Sequence, residues 1–285
     1  KSVTALSVLK LLACPPARVR AKKMRFMDLD LLKISARDLR NIRGKDISMI
    51  FQDPMTSLNP FLKIGEQIIE PLKLHSNLSA RQMRAQAIEG LEAMGISEAE
   101  HRLAQYPHEF SGGMRQRVMI ATALITRPKL LIADEPTTAL DVTVQAQVLA
   151  LLQQRCQDLG TSILFITHDL SVVAGFCDRV TVMYAGKIVE EGRTESVFYH
   201  PQHPYTQALQ HACPANHARG VPLASIPGSL PSLINPPPGC RFAPRCAFAE
   251  ALCSTPEVAL KAIGHNHATA CIRVQRSEIP SLLKS

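Results

Sequence analysis

Residues 130–136 read LLIADEP: apolar to Ala133, then two adjacent carboxylates, Asp134 and Glu135, then a proline. A short apolar run bounded by Pro128 and Pro136 predicts a buried parallel strand. Two further runs share the pattern. ISMI at 47–50 leads to Gln52, and SILFITHD at 162–169 ends on polar residues that include His168. Helical spacing of apolar positions marks 3–12, stopped by Pro15 and Pro16, and 79–95, opened by a Ser79/Gln82 capping box and closed by Gly95. The segment 118–125 predicts a buried helix, and 142–160 a helix ending at Gly160. RVTVMYAGKIVEEG at 179–192 predicts a hairpin turning at Ala185-Gly186. Strands alternating with helices predict an α/β domain with a mainly parallel sheet. Past Cys213 the pattern breaks: residues 213–238 hold seven of the 20 prolines, as an extended linker or irregular wrap would.

The two carboxylates raise a physical question. Adjacent like charges repel, and neither is cheap near a core unless a cation meets it. The C-terminal end of a strand in an open α/β sheet is also where such folds bind ligands. Gln52, Asp134-Glu135 and His168 are three such polar strand ends. Between the first two lies FSGGMRQR at 110–117, where Gly112 and Gly113 let the backbone approach a ligand at a helix N-terminus. The chain opens on Lys1-Ser2 before an apolar helix, as the phosphate-cradling loop G-x-x-x-x-G-K-[ST] ends. Taken singly, His168 also fits a satisfied buried histidine, Gln52 a turn residue and Asp141 a helix N-cap.

Composition narrows the class. At 285 residues and 46% hydrophobic, the chain can bury one substantial core with a small appendage. No apolar run approaches the roughly 18 residues that suggest a membrane span. No signal-peptide pattern is visible, and since the sequence does not open on Met its true start is expected upstream. The formal charge of +8 is uneven: ten Lys/Arg against three Asp between Arg18 and Lys45 give 10 − 3 = +7. Nucleic acid, anionic lipid, nucleotide phosphates or plain solvent could face such a patch. No RNP motif, zinc-finger spacing or aromatic-rich basic strand supports nucleic acid.

Eight cysteines without a secretory signal argue for thiols or metal ligands in a reducing compartment. Cys240, Cys246, Cys253 and Cys271 are spaced C-x5-C-x6-C-x17-C, unlike a zinc ribbon or a bacterial ferredoxin. Spacing alone leaves free buried thiols and a cluster site both open. Cys14, Cys156, Cys177 and Cys213 read as structural.

In order, KS, FQDP, FSGGMRQR, LLIADEP, TALD and ITHD resemble the nucleotide-binding subunit of ATP-binding-cassette transporters, over residues 1 to about 195. QDPMTSLNP (52–60) and HPYTQAL (203–209) resemble its dipeptide/oligopeptide importer branch. The resemblance implies an α/β P-loop ATPase domain with a helical signature subdomain at 1–195. A small irregular Cys/Pro-rich extension at 196–285 would follow it. It implies ATP hydrolysis that powers uptake of di- or oligopeptides through a membrane permease. Lys1 would bridge the β- and γ-phosphates, Ser2 would ligate Mg²⁺, and Asp134 would hold the ion through water. Gln52 would sense metal and attacking water, Glu135 would orient or deprotonate that water, and His168 would contact the γ-phosphate. Ser111, Gly112 and Gly113 would close over ATP bound to a second nucleotide-binding subunit, with Asp141 signalling across that interface. Cys240, Cys246, Cys253 and Cys271 would hold a 4Fe–4S cluster, with Zn²⁺ as the alternative.

Partners implied are a second, paralogous subunit, two permease subunits and, indirectly, a substrate-binding protein, on the cytoplasmic face of a bacterial inner membrane. The apolar, proline-bounded stretch 54–61, Leu58 included, would dock a permease helix. Substrate choice would reside in the permease and binding protein. Two departures accompany this. Position 114 is Met where the family at large has Gln. The phosphate-loop glycines and an adenine-stacking aromatic are missing from this sequence, which reads as an N-terminally truncated piece expected to bind ATP poorly as it stands. The rival readings are a soluble cassette ATPase acting on nucleic acid and a non-hydrolysing regulatory module. The HPY segment, the lack of a long coiled-coil insertion or second cassette, Glu135 and His168 argue against them.

Overall fold

The computed structural model describes residues 1–52, 57–138, 140–213, 225–254, 258–264 and 266–279. The chain forms two compact units, Lys1–Ile166 and Thr167–Ser285. Most of the stretch 213–238 read as a linker is split by this description: 214–224 lies outside it, and 225–238 is irregular apart from bends.

The first unit opens with α1 (Ser2–Val8), a short hairpin β1 (Arg25–Phe26) and β2 (Leu29–Asp30), α2 (Ala36–Ile42) and β3 (Ile47–Ile50). Helices α3 (Ile64–His75), α4 (Ala80–Ala93), α5 (Ala99–Arg102) and α6 (Gly112–Leu124) then lead to β4 (Leu130–Asp134). Helix α7 (Val142–Leu159) returns the chain to β5 (Ser162–Ile166). Strands β3, β4 and β5 form a parallel sheet with β4 central, Ile47 opposite Leu130 and Leu130 opposite Ser162. Parallel neighbours need long crossovers, and helices supply both. Four of the five β4 residues are buried, because a central parallel strand is covered on both faces. Ala5, Leu9, Leu39 and Ile42 pack with Ile47, Ile132 and Ile166 in one apolar cluster that seats α1 and α2 on the sheet.

Local signals set the helix ends. Ser79 Oγ accepts from Gln82 N–H while Gln82 Oε1 accepts from Ser79 N–H, so the capping box forms and α4 starts there. Helix α7 ends at Gly160, whose φ of 64° is left-handed and cheap only without a Cβ. The pattern over 3–12 overruns: α1 stops at Val8, and Lys10 takes a φ of 49°. Among the described residues no helix is long and apolar enough to cross a membrane.

The second unit contains α8 (Leu170–Phe176), β6 (Arg179–Tyr184), β7 (Lys187–Arg193), α9 (Thr194–Tyr199), α10 (Pro204–His211), β8 (Lys261–Gly264), β9 (His267–Thr269) and α11 (Ile272–Gln275). The β6–β7 hairpin turns at Ala185-Gly186 with φ of 45° and 80°, the doubly positive geometry of a two-residue turn. Its sheet is antiparallel in the order β6-β7-β9-β8, so β7 pairs with a strand far later in the chain, Glu190 opposite Thr269 and Gly192 opposite His267. Tyr184, Tyr205 and Phe242 fill the space beside the sheet, with ring centroids 4.6 to 5.3 Å apart.

A buried carboxylate fastens this unit. Glu190 on β7 is fully buried and accepts from Gln202 N–H at 2.7 Å and His203 N–H at 2.9 Å. His267 Nε2 on β9 lies 2.7 Å from Glu190 Oε1. One side chain therefore ties β7 to β9 and to the start of α10. His203 caps that helix: its Nδ1 accepts from Tyr205 N–H at 3.0 Å, which leaves the ring proton on Nε2. Burial lowers the His203 pKa to about 4, the neighbouring Glu190 opposing it only in part.

His203 is therefore neutral in the fold, while an unfolded chain takes up its proton below about 6.5. Stability should be lost as pH falls from about 6.5 toward 4. Denaturant melts should show about 2 kcal/mol less stability at pH 5 than at pH 7 from this group. His203→Gln should flatten that slope, and an unchanged slope would place the acid sensitivity elsewhere.

Candidate functional site

The end of β4 is where the sequence posed its question. Asp134 is only 3% exposed, and among the described residues its one side-chain hydrogen bond comes from the Ser2 hydroxyl, Oγ to Oδ1 at 3.0 Å. A buried carboxylate facing one neutral donor is poorly compensated, so the position calls for a cation. Hydroxyl and carboxylate oxygens side by side are the hard donor set that Mg²⁺ takes. The residues present fit that ion.

Glu135 follows in a strained backbone: its φ is 49°, uncommon for a residue with a side chain. Its N–H donates to Ile166 O at 2.9 Å, which continues the β4–β5 ladder one step past the strand. The reversal in φ turns the side chain away from the strand's alternation. Glu135 Oε2 accepts from Gln52 Nε2 at 3.1 Å and from Thr138 Oγ1 at 3.2 Å. Four of the expected residues are thus joined by direct hydrogen bonds, as Ser2 with Asp134 and as Gln52 with Glu135. All sit past the C-terminal ends of β3 and β4 or at the start of α1. Lys1 is the N-cap residue of α1, adjacent to Ser2.

A second group forms at the start of α6. Ser111 is the N-cap, its Oγ accepting from Met114 N–H at 3.3 Å, and Gly112 and Gly113 are the first helical residues. A Cβ on Gly113 would lie 2.9 Å from Val144 Cγ1, so that glycine permits close packing of α6 on α7, while Gly112 faces open space. Asp141 caps α7, its Oδ1 accepting from Val144 N–H at 2.9 Å. The capping role that its sequence context allowed is therefore present. His168 lies two residues past Ile166, exposed, in the second unit.

Two residues escaped the sequence reading. Thr138 holds Glu135, and its only signal is the i+3 spacing. Gln116 is buried among apolar α6 residues and donates through Nε2 to Pro136 O, pinning the turn beyond the carboxylates. A glutamine between two arginines, Arg115 and Arg117, gave no hint of burial.

The profile described as "ABC transporter" matches residues 17–138, and that described as "Oligopeptide/dipeptide transporter, C-terminal region" matches 189–253. The oligopeptide transport ATP-binding protein OppD of Haemophilus influenzae is 51% identical over 267 residues, covering 94% of this chain and 81% of that protein. The chain belongs to the ATP-binding-cassette transporter family. OppD of Bacillus subtilis is 52% identical over 250 residues, covering 87% of this transporter-family chain and 70% of its own length. Among solved structures, cbiO1 of Clostridium perfringens superposes with a TM-score of 0.58 at 27% identity, over 69% of this chain and 74% of that one. The ADP- and phosphate-bound dimer of the cassette MJ0796 gives 0.57 at 26% identity, over 67% and 80%. The ABC-type fold expected from the motifs is the fold observed.

One expectation for this ABC-family chain is corrected. Cys240, Cys246, Cys253 and Cys271 do line one pocket with His203 and Phe242, but it measures only about 20 Å³, room for about one water. Among the described residues, no group of three or more His, Cys, Asp or Glu side chains is arranged to hold a metal ion. Burial raises the Cys246 thiol to about 11 and pushes Cys240 and Cys271 up as well, against smaller opposing effects of backbone N–H groups. The guanidinium that lines the pocket, Arg273, is engaged by Glu250 at 2.7 Å and by Glu278 at 3.4 Å. The 4Fe–4S cluster and its Zn²⁺ alternative are withdrawn. The cluster was an implication of the family resemblance, not of the cysteine spacing. Here Cys240 N–H instead donates to Cys253 O at 2.8 Å, and Gly239 lets the strands of loop touch.

The thiols should therefore separate by reactivity. Pulse alkylation at pH 8, read by mass spectrometry, should label exposed Cys14 first. Cys246, and Cys156, whose burial raises it to about 11, should lag by about 10²-fold or more. Equal labelling rates would contradict their burial as neutral thiols.

Proposed function

We propose that the chain hydrolyses ATP to drive import of oligopeptides through a membrane permease. The observation that carries this is the pairing at the end of β4: a buried Asp134 on the Ser2 hydroxyl, next to a Glu135 steered by Gln52 and Thr138. Identity of about half to OppD proteins over most of the chain supports the substrate class. Ser2 and Asp134 hold Mg²⁺, and Lys1 meets the β- and γ-phosphates of ATP. The ion, when bound, neutralises charge on the phosphates. Glu135 accepts the proton of the attacking water, while Gln52 fixes the carboxylate's direction through its amide. His168 contacts the γ-phosphate. A second subunit offers its own Ser111–Gly113 segment to the same ATP, and Asp141 faces that junction. Neighbouring carboxylates thus divide the work between metal and water.

The adjacent C-terminal match to oligopeptide transporters disfavours a nucleic-acid role, and the steered Glu135 disfavours a non-hydrolysing one. Residues 1–195 serve as the ATPase domain and 196–285 as the importer extension. The chain works as a peripheral protein on the cytoplasmic face of the membrane, with two permease subunits and a paired ATPase subunit as partners. Of the stretch 54–61 expected to dock the permease, residues 54–56 lie outside the described residues. Leu58 is 6% exposed and belongs to the core, so the contact shifts to Phe61, which is 86% exposed.

Two measurements test this. In a chain carrying the whole phosphate loop, Glu135→Gln should retain ATP binding yet lose about 10²–10⁴-fold in turnover, roughly 3–5 kcal/mol of barrier. A steady-state loss of less than about fivefold would remove Glu135 from its role. Phe61→Glu should abolish peptide uptake in cells while the isolated subunit keeps its basal ATPase. Unchanged uptake would move the docking surface elsewhere.

A further inference from the structure

The basic segment noted in the sequence is not absorbed by the ATP site, and the fold explains why. Asp134 and Glu135 stand at the C-terminal end of β4, whereas Lys45 and Lys129 stand at the N-terminal ends of β3 and β4. Five strand residues at about 3.3 Å each put those two ends roughly 15 Å apart. Lys129 N–H donates to Asp46 O at 2.9 Å, and its ammonium lies 3.4 Å from Met27 Sδ at the tip of the β1–β2 hairpin. Lys10 Nζ reaches Ile34 O at 3.3 Å, and Arg43 donates to Lys10 O at 3.0 Å. These bonds gather α1, the hairpin, α2 and the turn before β4 into one surface.

That surface is cationic and largely unneutralised. Nine of the ten Lys/Arg between Arg18 and Lys45 are exposed, all but Arg43. None of the nine makes an ion pair among the described residues. Of the three acids in the segment, Asp30 accepts from Leu32 N–H and Asp38 from the Ser35 hydroxyl, which leaves Asp28, exposed next to Met27, as the one negative charge set against the nine exposed cations. Apolar side chains stand out among these cations. Met27 is 58% exposed with a φ of 50°, Leu29 two residues on is 42% exposed, and Val19 in the same segment is 39% exposed. A solvated charged face has no use for a bulky apolar residue in a strained turn. Basic groups around a protruding apolar tip are what an anionic bilayer surface takes up, headgroups on the cations and the tip in the interface. A nucleic-acid face would instead offer aromatic stacking, and no aromatic between Arg18 and Lys45 is exposed.

We infer that this face, with Lys22, Lys23, Arg25 and Lys129 around Met27, docks on anionic phospholipid. It rests on the peripheral, membrane-side placement proposed above, but its test needs neither ATP nor permease. The full chain is sedimented with vesicles of phosphatidylcholine alone and with vesicles one-third phosphatidylglycerol. Binding is expected only to the anionic vesicles, falling steeply as salt is raised. Lys22→Glu/Lys23→Glu/Arg25→Glu should weaken it by at least about tenfold, and the milder Gln set at the same positions by less. Met27→Ser, which leaves the charge alone, should weaken it by about threefold or more. Reversal of Lys73 and Arg81, exposed on other helices, should do little. Circular dichroism confirms that each variant is folded.

Equal binding to both vesicle types, no binding, or binding that survives both the Glu and Gln sets would overturn the inference. So would preferential binding of a duplex oligonucleotide that Met27→Ser leaves untouched, which would make this a nucleic-acid face. None of those results touches the transport reading, and loss of turnover in Glu135→Gln would leave vesicle binding intact.

Discussion

The first unit depends on how a buried carboxylate is accommodated at the end of its central strand. β4 is covered on both faces, so Asp134 emerges from a dry environment with only the Ser2 hydroxyl beside it. In isolation that arrangement costs stability, because the charge has lost water and gained one neutral donor. On the function proposed above, Mg²⁺ carrying a nucleotide would remove the deficit. Folding and ligand binding therefore share one term: α1 must seat against the sheet, through Ala5 and Leu9, for Ser2 to reach Asp134. The strain at Glu135 belongs to the same design, since its positive φ points the second carboxylate toward Gln52 rather than along the strand.

The second unit solves a similar problem without a ligand. Glu190 is as buried as Asp134, yet two backbone N–H groups and His267 satisfy it from inside the protein. Both carboxylates sit on or at the end of strands, and both are enclosed. What differs is the partner set. Fully met by protein donors, Glu190 is a structural clamp; met among the described residues by one hydroxyl, Asp134 is the carboxylate to which we assign a binding role. The same accounting separates the cysteines from a metal centre. Their pocket has room for about one water, and the guanidinium that lines it is already engaged by glutamates.

Much of the first unit was legible in the sequence because its signals are local. The apolar run 130–133 between prolines gave β4, the Ser79/Gln82 pair gave the start of α4, and Gly160 gave the end of α7. The grouping of Gln52 with Glu135 followed from strand ends of a parallel sheet lining up. What escaped depends on long-range pairing. That β7 would share a sheet with β9 leaves no trace in either segment alone. The burial of Leu58, Gln116 and Glu190 is likewise a property of packing rather than of residue type. The cysteine spacing left free thiols and a cluster both open, and the cluster implied by the family resemblance is what the described residues do not support.

The central claim is that Asp134 is a cation-binding carboxylate rather than a structural one. ATP affinity measured with Mg²⁺ and with chelator, for a chain with the whole phosphate loop and for its Asp134→Asn variant, tests this directly. The account predicts that Mg²⁺ strengthens binding in the parent and that the amide variant, folded and at least as stable, loses most of that increment. An Asp134→Asn protein that keeps the full Mg²⁺ dependence, or that fails to fold because the carboxylate itself is needed, would contradict it.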